Sequence, residues 1–292
     1  MKILLAIDSS TASQHVLDRA ATRLWPSGTT FCVMTVVDVG RLERPPILVE
    51  DTINEAQSLV KSATAKLTES GHKVFSEVHL GFPKKAIPEY AKEWGADLVM
   101  VGSHGQSAVT RFLLGSVAQA VLRTSPCSVE IVRASLHPSH GIKVLLATDG
   151  SECSAKAVHS VAKSPWPAGT QIKLLSVVQL LIPEIPSVAS PLCSPYPSSL
   201  LDQVWKEART RAEEAVADAR KTLSATGLNI CDCNATPMGE PRAFILDEAK
   251  AWGADLIVLG SHGRHGLDRM LMGSVSESVA LYAHCSVEVV RQ

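Results

Sequence analysis

Residues 98–105 read Leu98-Val99-Met100-Val101-Gly102-Ser103-His104-Gly105; nine residues later Gly115-Ser116 opens a helical pattern. Residues 256–263 read Leu256-Ile257-Val258-Leu259-Gly260-Ser261-His262-Gly263, with Gly273-Ser274 following at the same spacing. In both stretches a short continuous apolar run ends on glycine, as expected of a strand covered on both faces that passes through a turn into a helix. Outward from here, residues 92–133 and 250–291 align without a gap, and about half of the positions are identical. Lys92-Glu93-Trp94-Gly95-Ala96-Asp97 matches Lys250-Ala251-Trp252-Gly253-Ala254-Asp255, and Cys127-Ser128-Val129-Glu130 matches Cys285-Ser286-Val287-Glu288. The beginnings match as well, Lys2–Ser9 against Lys143–Gly150. A period of half the chain is too long for a solenoid and fits a duplicated domain. The two domains are assigned to 1–134 and 142–292, with a linker at Ala134–Gly141.

Within the first copy, apolar runs at Ile3–Ile7, Phe31–Val37, Val74–Leu80, Leu98–Val101 and Val129–Val132 alternate with helical patterns near 11–24, 51–70, 84–94 and 116–124. The second copy repeats the strands near 143–148, 171–178, 229–235, 256–259 and 287–290. Strand–helix alternation of this kind implies an α/β domain with a parallel sheet and right-handed crossovers. Pro83 and Pro241 fall in the first turn of a helix, where a missing N–H costs nothing. The copies differ most after the second strand, at Asp38–Asp51 in one and Gln179–Leu200 in the other. The latter holds five prolines and five serines and is expected to be irregular, either a lid over a site or slack chain. The closing strands, 129–132 and 287–290, are apolar and free of proline. They are expected to pair with one another antiparallel, which hides two sheet edges at once and makes the chain a pseudo-dimer. A further homodimer is left open.

The 292 residues carry 28 Lys plus Arg against 29 Asp plus Glu, a net charge of -1. Nucleic-acid binding draws its affinity from a basic excess that is missing here. The apolar start Ile3–Ile7 is stopped by Asp8, and no segment approaches the ~20 apolar residues that span a bilayer. A cytoplasmic protein that binds neither nucleic acid nor membrane is expected. The seven cysteines suit buried small hydrophobes in a reducing compartment better than a disulfide framework. Cys231-Asp232-Cys233 lacks a second Cys/His pair at zinc spacing, so no metal site is assigned.

Glycine after a strand lets backbone N–H groups approach a phosphate without a Cβ in the way, and the positive end of the following helix favours an anion. Such glycines often do no more than make a turn; the full spacing found twice, each time after a strand, favours a ligand. Neither a G-K-[ST] loop nor a G-x-G-x-x-G fingerprint is present. A carboxylate at the tip of the first strand, Asp8 or Asp149, suits a ribose diol or the cap of the next helix.

These features together, G-x-x-G, nine residues, G-S, preceded by a strand ending in Asp, resemble the ATP-binding signature of the universal stress protein family. The closing strands Cys127–Arg133 and Cys285–Arg291 are similar to that family's last strand. The likeness spans both copies apart from the linker and the two variable segments. It implies two tandem, open, Rossmann-like five-stranded sheets of order 3-2-1-4-5. It also implies an adenine nucleotide, ATP with Mg²⁺, in each domain. Asp8 and Asp149 would contact the ribose or base region, Val36 and Val177 the adenine, and Val101 and Leu259 the pocket wall. Gly102, Gly105, Gly115 and Ser116 would hold ribose and phosphates, as would Gly260, Gly263, Gly273 and Ser274.

No catalytic residue is assigned. His104 and His262 sit between paired glycines and are read as packing on the loop ahead of acting as bases, and no nucleophile–base set can be placed by spacing. A nucleotide-binding stress or regulatory module is favoured. A slow ATPase or other ATP-using enzyme of the same fold stays open, as does a scaffold with vestigial sites. Arg264 directly follows Gly263, where Gln106 stands in the first copy. Its guanidinium is expected to favour triphosphate at the second site. The regulated partner is not readable.

Overall fold

The computed structural model describes residues 1–38, 40, 46–105, 114–133, 141–178, 198–231, 238–264 and 272–291. The first half runs β1 (Lys2–Ala6), α1 (Thr11–Thr22), β2 (Thr30–Asp38), α2 (Pro46–Glu69), β3 (Lys73–Gly81), α3 (Pro83–Trp94), β4 (Leu98–Gly102), α4 (Ser116–Thr124) and β5 (Ser128–Val132). The second runs β6 (Lys143–Ala147), α5 (Glu152–Lys163), β7 (Gln171–Leu175), α6 (Ser198–Ser224), β8 (Asn229–Ile230), α7 (Pro241–Trp252), β9 (Leu256–Gly260), α8 (Ser274–Tyr282) and β10 (Ser286–Val290). All ten strands form one sheet, ordered β3-β2-β1-β4-β5-β10-β9-β6-β7-β8. Each half is parallel in the order 3-2-1-4-5, as expected.

The halves meet where expected. β5 and β10 pair antiparallel, Val287 opposite Ile131, Glu288 opposite Glu130 and Val289 opposite Val129. On one face of the sheet a single core crosses this seam, joining Ile87, Val121, Leu122 and Ile131 to Ile245, Val279, Val287 and Val289. On the other face each half keeps its own core, under α1 and α2 in the first and under α5 and α6 in the second. With helices on both faces, the inner strands are buried and read as continuous apolar runs, while β3 and β8 at the two ends of the sheet hold only half-buried and exposed residues.

Several boundaries correct the sequence reading. α2 starts at Pro46, ahead of the helix expected near 51–70, because a first-turn proline forgoes only an N–H that the helix does not use. α6 starts at Ser198, immediately after the last of the five prolines; residues 179–197, and with them the choice between lid and slack chain, lie outside the described residues. β1 stops at Ala6, one residue before Ile7. β7 ends at Leu175, leaving Val178 in an isolated bridge to Met238. β8 has two residues, and 232–237 are outside the described residues, as is 134–140 of the linker. Pro83 and Pro241 do open α3 and α7. Cys32, Cys127 and Cys285 are buried, unbridged thiols. No helix among the described residues is long and apolar enough to cross a membrane.

The seam holds one buried charge cluster that spacing did not reveal. Arg19 Nε lies 3.0 Å from Glu130, and Arg23 Nη1 lies 2.7 Å from Glu130 and 2.9 Å from Glu288, with every side chain at most 6% exposed. The Arg23 guanidinium also sits over the rings of Trp25 at 4.5 Å and Trp166 at 5.5 Å. Burial lowers Arg23, but Glu288 and Glu130 outweigh it and hold the guanidinium above its ordinary pKa. Burial raises Glu130, and Arg19 and Arg23 bring its carboxyl below the usual range. Arg19 comes from the last turn of α1 and Arg23 caps its C-terminal end; the matching positions at the end of α5 are Ser160 and Ser164.

Candidate functional site

In the first half, β1 pairs with β2 on one side and β4 on the other, so the crossovers leave to opposite faces and open a crevice at the strands' carboxyl ends. A cavity of about 1060 Å³ occupies that crevice. Asp8, Val36, Val101, Gly102, Gly105, Gly115 and Ser116 all line it. The structure thus brings every first-half site residue expected from sequence to one place.

Asp8 divides its two oxygens. Oδ1 accepts from the Ser10 N–H at 3.0 Å, from the Ser13 hydroxyl at 2.8 Å and from the Ser10 hydroxyl. These bonds secure the loop whose Ser10 caps α1. Oδ2 faces Gly105, where a Cβ would stand 2.9 Å away. In the second half Ser151 caps α5 and donates its N–H to Asp149 Oδ1 at 3.0 Å. Asp149 Oδ2 accepts the Arg264 N–H at 3.1 Å and would lie 2.8 Å from a Cβ on Gly263. The aspartates therefore support the helix start through one oxygen and hold the other toward the glycine loop. The cap itself is a serine.

The glycines have separate duties, and none of the six adopts a left-handed backbone. A Cβ on Gly102 would stand 2.7 Å from Ala12 Cβ, and one on Gly260 would stand 2.6 Å from the Cys153 backbone. These two let the strand end meet the first turn of α1 or α5, a packing demand that the phosphate argument missed. Gly115 and Gly273 donate their own N–H groups to the Ser103 and Ser261 carbonyls at 2.7 and 2.9 Å. Neither glycine offers a side-chain cap. Intrahelical bonding begins at Gln119 and Glu277, which donate back to Gly115 and Gly273. In α4 the first-turn N–H groups of Ser116 and Val117 are thus left for an anion, and both residues line the cavity.

His104 Nδ1 lies 2.9 Å from Ser103 Oγ, and His262 Nδ1 lies 3.0 Å from Ser261 Oγ. His104 Nε2 is buried and has no hydrogen-bond partner among the described residues, so no carboxylate orients the ring as a base. In the second half Leu259 and Gly260 close β9, and Gly263, Gly273 and Ser274 follow in the same order. Val177 lies beyond β7, half-buried against the shared core, where Val36 is held inside β2. The Arg264 guanidinium lies over Gly150, with Nη2 2.6 Å from where a Cβ would be; Gly150 has φ +73°. Gln106 lies outside the described residues.

The cavity has further walls that the sequence did not single out: Thr52, Glu55, Ala56 and Leu59 from α2, and Phe82 and Lys84 at the start of α3. The available signals were the amphipathic face of α2 and an apolar Phe82 where Glu240 stands in the second copy. Among the described residues no group of three His, Cys, Asp or Glu is placed to hold a metal ion. Cys233 is outside them.

The model of the universal stress protein family matches residues 1–133 and again 142–291. A universal stress protein of Mycolicibacterium smegmatis is 26% identical over 286 residues, covering 97% of this chain and 88% of the relative. One from Mycobacterium tuberculosis is 26% identical over 319 residues, covering 99% and 97%. The crystal structure of a universal stress protein from Archaeoglobus fulgidus superposes with a TM-score of 0.68 at 21% identity, over 99% of this chain and 98% of the other.

Proposed function

Because the chain belongs to the universal stress protein family in both of its halves, we propose that each half holds one adenine nucleotide, ATP with Mg²⁺, and that the protein acts as a nucleotide-responsive module in the stress response. The observation that carries this reading is the convergence of Asp8, Val36, Val101, Gly102, Gly105, Gly115 and Ser116 on one cavity. Asp8 Oδ2 is turned toward the glycine loop and offers an acceptor for a ribose diol. The first turn of α4 offers N–H donors and a positive helix end for phosphate oxygens. The backbone beside Val36 offers an edge for adenine, and Val177 its counterpart. Mg²⁺ arrives on the triphosphate. No oriented base stands near these groups among the described residues, so turnover is at most slow.

Adenine at that edge disfavours guanine, whose amino group and carbonyl would meet mismatched partners at roughly 1–3 kcal/mol for each buried group left unpaired. Titration calorimetry with ATP and GTP at equal Mg²⁺ tests this, and ATP is expected to bind at least tenfold more tightly. Equal affinities sink the adenine pose, and no binding of either leaves a scaffold with vestigial sites. Turnover of labelled ATP at ordinary enzyme rates would instead make the protein an ATP-using enzyme.

A further inference from the structure

The two sites are tied together by a pair of reciprocal arginines just beyond the seam strands. The Val132 carbonyl accepts the N–H of Ser103, in the first glycine loop, at 3.0 Å. The next residue, Arg133, turns to the other half. Its N–H donates to Ser286 Oγ at 3.1 Å, and its guanidinium donates to the carbonyls of Ala280 and Leu281 at the C-terminal end of α8 and of Cys285 just before β10. The second half returns the arrangement. Val290 accepts the Ser261 N–H at 2.9 Å. Arg291 donates its N–H to Ser128 Oγ at 3.2 Å and its guanidinium to Leu122, Arg123 and Ser125 at the end of α4, at 2.6, 3.2 and 2.7 Å.

The first turn of α4 lines the first-half cavity, and α8, which opens after Gly273 in the same way, is its counterpart in the second half. Each has nine residues and so a length of only about 13 Å, and a short helix moves as a unit. Each is held at its C-terminal end by a cation from the opposite half, where last-turn carbonyls and the helix dipole favour one. The helices are also joined directly, Arg123 Nε lying 2.7 Å from Glu277. Each two-residue segment, 132–133 or 290–291, thus grips the glycine loop of its own half through its backbone and the phosphate-facing helix of the other half through its side chain.

We propose that Arg133 and Arg291 are positioning residues for the nucleotide site of the opposite half, and that filling one site raises affinity at the other. This rests on the nucleotide reading given above. A nucleotide on the second glycine loop fixes Ser261, and with it Val290 and Arg291, which holds α4 in place for the first site. The mirror path runs through Ser103, Val132 and Arg133 to α8. Both ligands order the same network, so the second to bind has less left to order.

Hydrogen-exchange mass spectrometry on the full chain, titrated separately with Mg-ATP and with adenosine, reads the two sites independently through peptides spanning 114–124 and 272–282. In the unmodified chain ATP is expected to protect both peptides, along curves steeper than independent binding. Arg291→Met should move the first-half ATP curve severalfold to higher concentration, leave the adenosine curve nearly in place and abolish the extra steepness. Arg133→Met should do the same to the second half. Lys at either position should restore part of the shift, and that variant carries the comparison if Met prevents folding. The inference is overturned if each variant shifts the curve of its own half, if both curves move alike, if ATP and adenosine lose equally, or if neither moves. A chain that ATP does not protect in either peptide overturns the nucleotide reading itself, and this one with it.

Discussion

Replacing Arg23 by Met removes the one side chain among the described residues that bonds both seam glutamates, while keeping most of its apolar stem. Arg23 makes ion pairs of 2.7 and 2.9 Å with Glu130 and Glu288, whose side chains are 0% and 6% exposed. Glu130 keeps Arg19 at 3.0 Å, but Glu288 loses its ion pair and stays buried opposite Glu130. The loss is therefore close to that of one orphaned buried charge, about 3–5 kcal/mol, to which the contacts with Trp25 and Trp166 add little. At roughly 2–4 °C per kcal/mol for a chain of this size, Tm should fall by roughly 6–20 °C. Urea and thermal melts of Arg23→Met, Glu288→Gln and the double variant measure it. Neutralising Glu288 in the Arg23→Met background should recover about 2 kcal/mol or more. A deficit below about 1 kcal/mol, or a double variant no more stable than Arg23→Met, would refute the assignment of this cluster as the seam's ionic tie.

Three more outcomes are expected. In the unmodified chain, Glu130 is held below its ordinary pKa, so its contribution is present above the carboxylate range and lost as pH falls through and below about 4. His72, lowered by burial, and His284, lowered by burial and by Lys250 and Arg133, favour the neutral ring, so their share is present above about pH 6.5 and lost as pH falls below it. Urea melts from pH 7.5 to 4 should show a continuous decline, and a gain between 7.5 and 5.5 would contradict the histidine part. Gly102→Ala should cost about 1–3 kcal/mol of stability by overpacking against Ala12, whereas Gly105→Ala should mainly displace Asp8 and weaken nucleotide binding. The reverse pattern would mean the two duties are misassigned. Arg264→Gln should weaken ATP several-fold at the second site and leave adenosine nearly unchanged by calorimetry; equal losses would make Arg264 a support for the loop beside Gly150.

Architecture was legible because its signals are local or repeated. Continuous apolar runs marked strands covered on both faces, duplication fixed the domain count, and two closing strands without proline announced the seam. α2 was misjudged at its start because Pro46 is a breaker inside a helix and harmless in its first turn, and composition does not tell the two apart. The glycine pattern led to the crevice at the strands' carboxyl ends, but Gly102 and Gly260 answer to a helix start far away in sequence, a contact that no spacing encodes. The Arg19–Arg23–Glu130–Glu288 cluster was hidden for the same reason. Its trace was a glutamate inside each apolar closing strand, Val129-Glu130-Ile131 and Val287-Glu288-Val289, while its counter-charges lie over a hundred residues away at the C-terminal end of α1 and are missing from the end of α5.

A dimer of identical copies must place any side chain on both sides of its axis. Were both halves like the first, four arginines would crowd two glutamates at the centre of the sheet; were both like the second, the glutamates would face serines alone. Fusion into one chain removes that constraint, and Arg19 and Arg23 on one side against Ser160 and Ser164 on the other give two cations for two anions. Neutrality at the seam is thereby a rule of mating: a second half is matched only by a first half, and two chains that trade halves must trade them head to tail.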